Sequence, residues 1–406
     1  MRVLHVVTAF PRDDADVITP WLGQFLLGLK GRGLDVSVLA PSYRGGGTTR
    51  WRGITVHRFR YAPARFERLT HEETAPDRLR AKPWYAGLLP AYVCGGSLSA
   101  FRLGLGRPDI VHAHWPLPHA LFGAMTRLGS GGGTAVVASY YSVELRWVEE
   151  RLPLFLPFLR WTMESADAIT AISRPTARAV GRYVERPVRV IPFAAAVPPS
   201  VDSSHRSSGD ERGTGSEILF VGRLVERKGV ETLVRALAAL TSKRRVRLTI
   251  VGEGTREARI RSLIDALELV DRVRLTGALS DLELAAAYDR ADLFVLPAVV
   301  DAKGDTEGLG VVLLEALRSG VPVIGSRVGG IPDIVIDGET GWLVPPGDPR
   351  ALAAAIDEAL DDPREARRRV ALGQRHVERH FSMPRILDAM IACYEDAIAA
   401  RTGHAP

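Results

Sequence analysis

The chain has 406 residues, of which 46% are hydrophobic and 25% charged. That is the composition of ordinary globular domains and excludes a disordered or fibrous chain. Its two cysteines, Cys94 and Cys393, lie about 300 positions apart, and the formal net charge is +6, which excludes a disulfide framework or a CxxC metal site and suits a reducing compartment.

The charge is unevenly spread. Residues 1–200 hold 25 Lys and Arg against 15 Asp and Glu, whereas residues 201–406 hold 28 against 32. A basic half beside a mildly acidic one implies two domains with different partners. The basic half suits nucleic acid, an anionic membrane surface or a phosphorylated substrate.

In chain order, residues 2–8 read as a buried strand, because the apolar run is too short for a signal peptide. A helix over 20–33 ends at Gly33, and a strand follows at 36–39. Residues 44–68 then hold seven arginines, with Trp51, Phe59, Tyr61 and Phe66 interleaved. Such a stretch fits nucleic acid, an anionic membrane surface, a lipid-phosphate acceptor or a plain solvated face. Residues 83–101 carry no charge, so length alone permits a membrane span. Pro83, Gly87, Pro90, Gly95 and Gly96 favour instead a buried helix or an apolar patch lying on a membrane.

Further strands are expected at 109–112, 134–138, 168–171 and 188–191. Residues 198–216 are rich in Ser, Gly, Pro and charge and read as a linker. Beyond it, strands at 217–221, 247–251, 273–276, 293–296 and 321–324 alternate with helices starting at 230, 256, 281 and 309. This alternation argues for parallel sheets of βαβ units. The expected organisation is an N-terminal Rossmann-like domain over 1–197, a linker over 198–216, a second Rossmann-like domain over 217–383 and a C-terminal helix over 384–406. That helix fits either domain by sequence, and packing back on the first is the arrangement considered.

The densest chemical signal is DTEGLGVVLLE at 305–315. Gly308 and Gly310 flank Leu309 at the start of a helix, where free amides and the helix dipole attract phosphate. Glu307 sits at the helix mouth, and Glu315 is placed to accept from ribose hydroxyls. VGRLVERKG at 221–229 follows the first strand of the second half. Its Arg223 and Lys228 suit a diphosphate. In DIVHAHW at 109–115, His112 and His114 occupy the carboxyl end of a strand, where open α/β sheets bind ligands. Their alternate spacing is expected to put the rings on opposite faces, one of them in a cleft, which disfavours a metal pair. The competing readings are a solvated Glu, a solvated basic loop and two structural histidines.

Together, Gly-Arg-x4-Lys-Gly, Glu-Gly-x-Gly-x4-Glu-Ala, Gly-x-Pro-Val-Ile-Gly-Ser-x-x-Gly-Gly-Ile-Pro-Asp and Asp-Gly-x-x-Gly-x-Leu-Val-Pro-Pro-Gly-Asp, spread over 222–348, resemble family 4 retaining glycosyltransferases of the GT-B fold. HAHWPLP at 112–118 resembles the matching N-terminal site, and its wording resembles the exopolysaccharide and lipid-linked glycan branch. The resemblance implies an α/β protein whose two Rossmann-like domains present parallel sheets to each other across a cleft. It implies a nucleotide-diphosphate sugar as co-substrate, with no cofactor and no metal. Arg223 and Lys228 would clamp the diphosphate, Glu307 would bind the donor sugar and Glu315 the ribose. The amides of Gly308, Leu309, Gly310 and Val311 would meet phosphate, and His114 would face the sugar from the other domain.

Two stretches depart from the family pattern. Residues 11–21 lack the usual Gly-Gly, leaving Thr19 and nearby amides as substitutes. Residues 139–142 read Ser-Tyr-Tyr-Ser where a His or His-Gly is common, leaving Tyr141. With Arg58 and Arg60 of the basic stretch, these are the acceptor-side candidates. The implied activity is retaining transfer to a glycan or polyprenyl-phosphate-linked acceptor at the cytoplasmic membrane face, with an anionic membrane surface as a further partner and no nucleic acid. The expected location is cytoplasmic and peripheral on the membrane. The alternatives are a soluble polyol, phosphosugar or secondary-metabolite acceptor, and a non-catalytic sugar-nucleotide-binding protein.

Overall fold

The computed structural model describes all residues except 15, 17, 72–74, 195–214, 242–244 and 404–406. Most of the expected linker therefore lies outside the described residues. The chain divides into two compact units, one of Met1–Ile191 with Met383–Pro406 and one of Pro192–Ser382. Each is a Rossmann-like α/β layer structure.

The first unit is built on β1 (Arg2–Val6), β2 (Asp35–Pro41), β3 (Thr49–Trp51), β4 (Ile54–Phe59), β5 (Ile110–His114), β6 (Ala135–Tyr140), β7 (Ala168–Ala171) and β8 (Val188–Val190). Their order across the sheet is β3-β4-β2-β1-β5-β6-β7-β8. All neighbours run parallel except β3, which pairs antiparallel with β4. This edge hairpin lies inside the arginine-rich stretch. Its alternation is hidden because arginine and histidine occupy the half-exposed positions of β4.

The two faces of this sheet are of different character. Leu4 and Val6 of β1 enter an apolar core with Leu39, Val111, Ala138, Tyr92 and Phe122. Helices Leu89–Gly104, Pro116–Gly129 and Leu156–Glu164 cover that face. His5, between Leu4 and Val6, points the other way, as strand alternation requires, toward Phe25 and Tyr394. Helices Pro20–Gly31 and Met383–Thr402 cover that second face. The C-terminal helix thus completes the first unit. Gly28 packs under Leu387, and ion pairs Arg32–Asp388 and Arg189–Asp396 fasten the helix at its flanks.

The second unit carries β9 (Gly215–Val221), β10 (Arg245–Val251), β11 (Val273–Gly277), β12 (Leu293–Leu296), β13 (Val323–Ser326) and β14 (Trp342–Val344), in the order β11-β10-β9-β12-β13-β14. Every pairing in it is parallel. The central β9 buries Ile218, Leu219 and Phe220 completely or nearly so, as a strand covered on both faces must. Two Asp-Pro steps start consecutive helices by one device. Asp348 accepts from the amides of Arg350 and Ala351 at the head of helix Pro349–Asp361. Asp362 does the same for Arg364 and Glu365 of helix Pro363–Phe381. In both, proline takes the first helical position, where a missing N–H costs nothing.

Candidate functional site

In the second unit, the loops after β9 and β12 bring two of the expected residues, Lys228 and Glu307, into contact. Lys228 ends the short turn Glu226–Lys228, and Gly229, with φ of 67°, opens helix Val230–Ala238. The loop after β12 ends at Gly310, also left-handed, which opens helix Val311–Arg318. Lys228 Nζ donates to Glu307 Oε2 at 2.5 Å. Arg227 donates to the same oxygen at 3.3 Å and approaches Asp305 at 3.4 Å. Burial alone would push the Glu307 carboxyl up. The charges of Lys228 and Arg227, and hydrogen bonds from Lys228 and the Gly310 amide, outweigh it and hold the group below the usual carboxylate range.

The expected roles treated Lys228 and Glu307 separately, one for phosphate and one for sugar, whereas the two side chains form one buried ion pair. Arg227 is an addition, and its only sequence signal is the Arg-Lys step before Gly229. Arg223 stands exposed with no side-chain hydrogen bond or ion pair among the described residues. It is a cation left available on the loop after β9. Glu315 is buried on helix Val311–Arg318 and accepts from the Tyr288 hydroxyl at 2.9 Å. Tyr288 was not foreseen, because it comes from the preceding βα unit, 27 residues away.

The glycine turns do more than admit a ligand. A Cβ at Gly329 would collide with the Glu307 carbonyl, and one at Gly330 with the Gly308 carbonyl. The Gly330 amide also donates to Glu307 O at 3.1 Å. The Gly-Gly step therefore sets the backbone height of the 307–310 loop. Leu309, in the middle of that loop, is buried and anchors it. The amide of Val311 begins the helix.

In the first unit the expected geometry needs correction. His112 and His114 do not point to opposite faces. Positions two apart on a strand share a face, and their rings stack with centroids 4.0 Å apart. His5, in register with His112 on β1, joins them. The ligating atoms of these three buried histidines lie within 4.8 Å of one another, so the set has the donor types of a metal site. Five of the six ring nitrogens already have partners. His5 Nδ1 meets His114 Nε2 at 3.0 Å, His114 Nδ1 meets the Tyr141 hydroxyl at 2.5 Å, and His112 bonds Ser139 at 2.6 Å and Tyr394 at 2.8 Å. Only His5 Nε2 is buried without a partner. A metal would have to displace those bonds. Burial lowers all three histidines well below their usual value, each also disfavoured by a neighbouring histidine. Burial likewise lowers His119, to about 4.

Both nitrogens of His114 are thus engaged inside the unit. Tyr141, an acceptor-side candidate by sequence, is buried and its hydroxyl is the partner of His114 Nδ1. Trp21 and Trp115, not singled out by sequence, flank Tyr141 with ring centroids 5.9 and 4.6 Å away. Thr19, Trp115 and Ser142 all have positive φ at the heads of helices. Non-glycine residues rarely adopt that conformation, which concentrates at functional sites. The Thr19 hydroxyl is buried without a partner. Glu144 also went unnoticed. Its Oε1 accepts from the Tyr141 amide at 2.6 Å, its Oε2 is buried without a partner, and burial raises its carboxyl to about 7.

The arginine-rich stretch braces this unit. Arg58 donates to the carbonyls of Phe10 and Pro11 at 3.1 and 2.8 Å, and Arg52 pairs with Asp14 at 2.9 Å. Arg60 pairs with Glu67, which is fully buried and also takes hydrogen bonds from Ser42 and the Gly45 amide. Arg58 thus holds the loop after β1, with its Nη1 buried and unpartnered, and Arg60 holds the segment after β4 while its side chain stays half exposed.

Residues 202–376 match the model "Glycosyl transferases group 1", and residues 22–194 match "Glycosyltransferase Family 4". The chain is 36% identical over 269 residues to a GDP-mannose-dependent alpha-(1-6)-phosphatidylinositol monomannoside mannosyltransferase of Mycolicibacterium smegmatis, covering 61% of this chain and 66% of that protein. It is 33% identical over 279 residues to a GDP-mannose-dependent monoacylated alpha-(1-6)-phosphatidylinositol monomannoside mannosyltransferase of Corynebacterium glutamicum, covering 64% of this chain and 72% of that protein. Among solved structures, sucrose-phosphate synthase of Thermosynechococcus elongatus matches with a TM-score of 0.75 at 25% identity, covering 98% of this chain and 99% of that one.

Proposed function

Because the chain belongs to the family 4 glycosyltransferases of the GT-B fold, we propose that it transfers a sugar, with retention at the anomeric carbon, from a nucleotide-diphosphate sugar to a glycan or lipid-linked acceptor at the cytoplasmic face of a membrane. The observation that carries this reading is the cation cluster of the second unit. Lys228 and Arg227 converge on Glu307, with Arg223 exposed on the same loop and helix Val311–Arg318 beginning beside them. Fixed cations and a helix N-terminus stabilise negative charge where it develops. In transfer that charge develops on the departing diphosphate.

Each group has a task in this reaction. The bond from the anomeric carbon to the diphosphate oxygen breaks, and a bond to the acceptor oxygen forms as that hydroxyl passes its proton to the departing diphosphate oxygen. Donor phosphate would draw Lys228 from Glu307, freeing a carboxylate oxygen to accept sugar hydroxyls. Glu315, oriented by Tyr288, would accept from the ribose. The GDP-mannose-dependent relatives and their phosphatidylinositol mannoside acceptors favour a lipid-linked acceptor and make GDP-mannose the first donor to test. The likeness to sucrose-phosphate synthase across nearly the whole chain supports a second reading, a soluble phosphosugar acceptor.

The deciding experiment is a thermal-shift panel of UDP, GDP, ADP and their sugars, followed by transfer assays with the responding donor. A ligand at a hundredfold excess over Kd adds about 2.7 kcal/mol of stability. One base should raise the melting temperature of the wild type and raise it far less in Lys228→Ala. No response to any nucleotide, with no transfer or hydrolysis across the panel, would end this reading.

A further inference from the structure

One surface of the first unit is built unlike the others. Helix Leu89–Gly104 turns Tyr92, Gly96, Ala100 and Gly104 inward. Gly96 lies against the Phe122 ring and Gly104 against the Thr126 carbonyl, so closely that a Cβ on either would collide. This side is fixed on helix Pro116–Gly129. A helix held that way is not free to be surrounded by lipid. At 16 residues it reaches about 24 Å, short of a hydrocarbon core of about 30 Å. No helix among the described residues is long and apolar enough to cross a membrane.

Its other side faces outward and is apolar. Leu98 is 50% exposed, and Leu89, Pro90, Ala91 and Cys94 are exposed beside it. Trp84, in the turn just before the helix, is 52% exposed. The outward side of a surface helix ordinarily carries charge, yet residues 83–101 hold none. The same helical layer exposes Leu128, Phe155 and Leu154, the last of them 92% exposed. Helices Pro20–Gly31 and Met383–Thr402, on the opposite face of the sheet, expose no large hydrophobic side chain among the described residues. The apolar exposure of this unit's helices is therefore one-sided. Such patches mark interaction surfaces.

The surrounding charge identifies the partner. Over residues 78–107 every charged side chain is basic: Arg78, Arg80, Lys82, Arg102 and Arg107. We propose that this layer is the docking surface for an anionic lipid bilayer. Trp84, Leu98, Leu154 and Phe155 enter the headgroup boundary, and Lys82 and Arg102 meet lipid phosphates. Tryptophan is favoured at that depth, where its ring is apolar and its N–H stays wet. A second copy of the chain fits less well, because a twofold axis through residues 83–101 would bring Lys82 and Arg102 of both copies together, and residues 78–107 hold no acid to offset them. The exposed acids Glu150 and Glu164 flank the Leu154 turn instead. The inference rests on the reading of a lipid-linked acceptor. It moves the membrane contact away from residues 44–68, where Arg52, Arg58 and Arg60 have partners within their own unit.

The test is sedimentation of the full chain with vesicles of phosphatidylglycerol or of phosphatidylcholine. The wild type should pellet with the anionic vesicles, and Leu98→Asp with Leu154→Asp should lower the bound fraction at least tenfold without changing the melting temperature. Cys94 is exposed and Cys393 buried, so an environment-sensitive label on Cys94 should shift to the blue on the anionic vesicles alone. A wild type that binds neither vesicle, or a variant that binds as the wild type does, overturns the proposal. So does a dimer in light scattering that the two substitutions dissociate while vesicles bind neither form. Nucleotide-induced stabilisation, measured on the same samples, reports separately on the donor site. If nucleotides stabilise the protein and vesicles do not bind it, the surface is refuted and the transferase reading stands.

Discussion

The polar clusters of the two units follow opposite electrostatic rules. In the second unit, Glu307 is buried and kept charged, because Lys228 and Arg227 offset the cost of burial. In the first, His5, His112 and His114 are buried and kept neutral, because only hydroxyls and one another surround them. A charged cluster can exchange one ion partner for another and so can receive an anionic ligand. A neutral, hydrogen-bonded cluster has no net charge to exchange. It serves better as a rigid floor beneath Trp21, Trp115 and Tyr141. The lesson is that burial and proximity to strand ends mark both clusters as special, and the sign of the surroundings separates binding from support.

The contrast should break first at Lys228. Lys228→Ala leaves Glu307 with Arg227 and the Gly310 amide, and losing one partner of a buried pair costs about 3–5 kcal/mol. If the cluster stabilises departing phosphate, transfer should also fall by roughly 100- to 1,000-fold. Urea denaturation and donor turnover read the two effects separately. The paired change Lys228→Met with Glu307→Leu should recover most of the stability and none of the activity. Recovery of both would make the cluster purely structural.

A smaller loss is expected at Tyr394→Phe, which removes the hydroxyl bonded to His112 Nδ1 at 2.8 Å. An unsatisfied buried polar group costs about 1–3 kcal/mol. Faster amide exchange along Met383–Thr402 should accompany it, with nucleotide binding unaffected. Equal loosening of the second unit would contradict the division of labour.

Acid should act on the neutral cluster before the charged one. The buried histidines are neutral when folded and ordinary when unfolded, so below about pH 6.5 the unfolded chain binds more protons. Their stabilisation is complete above that pH and is lost as pH falls toward the folded values, about 4 for His119. Each such histidine contributes a slope of about 1.4 kcal/mol per pH unit in this window. His119→Gln should lower the slope by one proton, measured by denaturation between pH 5 and 7. Glu307 is depressed instead, so its contribution is complete above the ordinary carboxylate value of about 4.5 and is lost only as pH falls below it, through the lowered folded value. An unchanged slope in the variant would show that His119 is not titrating as described.

The smallest effect belongs to Tyr288→Phe. It removes one hydrogen bond to Glu315, worth about 1 kcal/mol. The donor KM should rise several-fold with little change in kcat. A fall in kcat alone would place Glu315 at the reacting bond instead of the ribose.

Much of the architecture could be read from the chain. The βαβ alternation, the second-unit loops and the conjunction of Arg223, Lys228, Glu307 and Glu315 follow local patterns of glycine, charge and short apolar runs. What stayed hidden depends on contacts between distant elements. Tyr288 reaches Glu315 from a neighbouring βα unit, and Tyr394 reaches His112 across 282 positions. The β3–β4 hairpin was masked by arginines that serve as braces. The misplacement of His112 and His114 was different in kind, since period-two geometry already puts them on one face.

The return of helix Met383–Thr402 to the first unit has a consequence for how the protein is made and handled. About 190 residues separate Ile191 from Met383. At 5–20 residues per second on the ribosome, the first unit waits roughly 10–40 s for its last helix, with the His112 face uncovered meanwhile. The second unit is contiguous and can close earlier, although it begins later. A fragment cut after Ile191 would keep that polar face open, whereas a permuted chain joining Thr402 to Met1 would give the first unit whole.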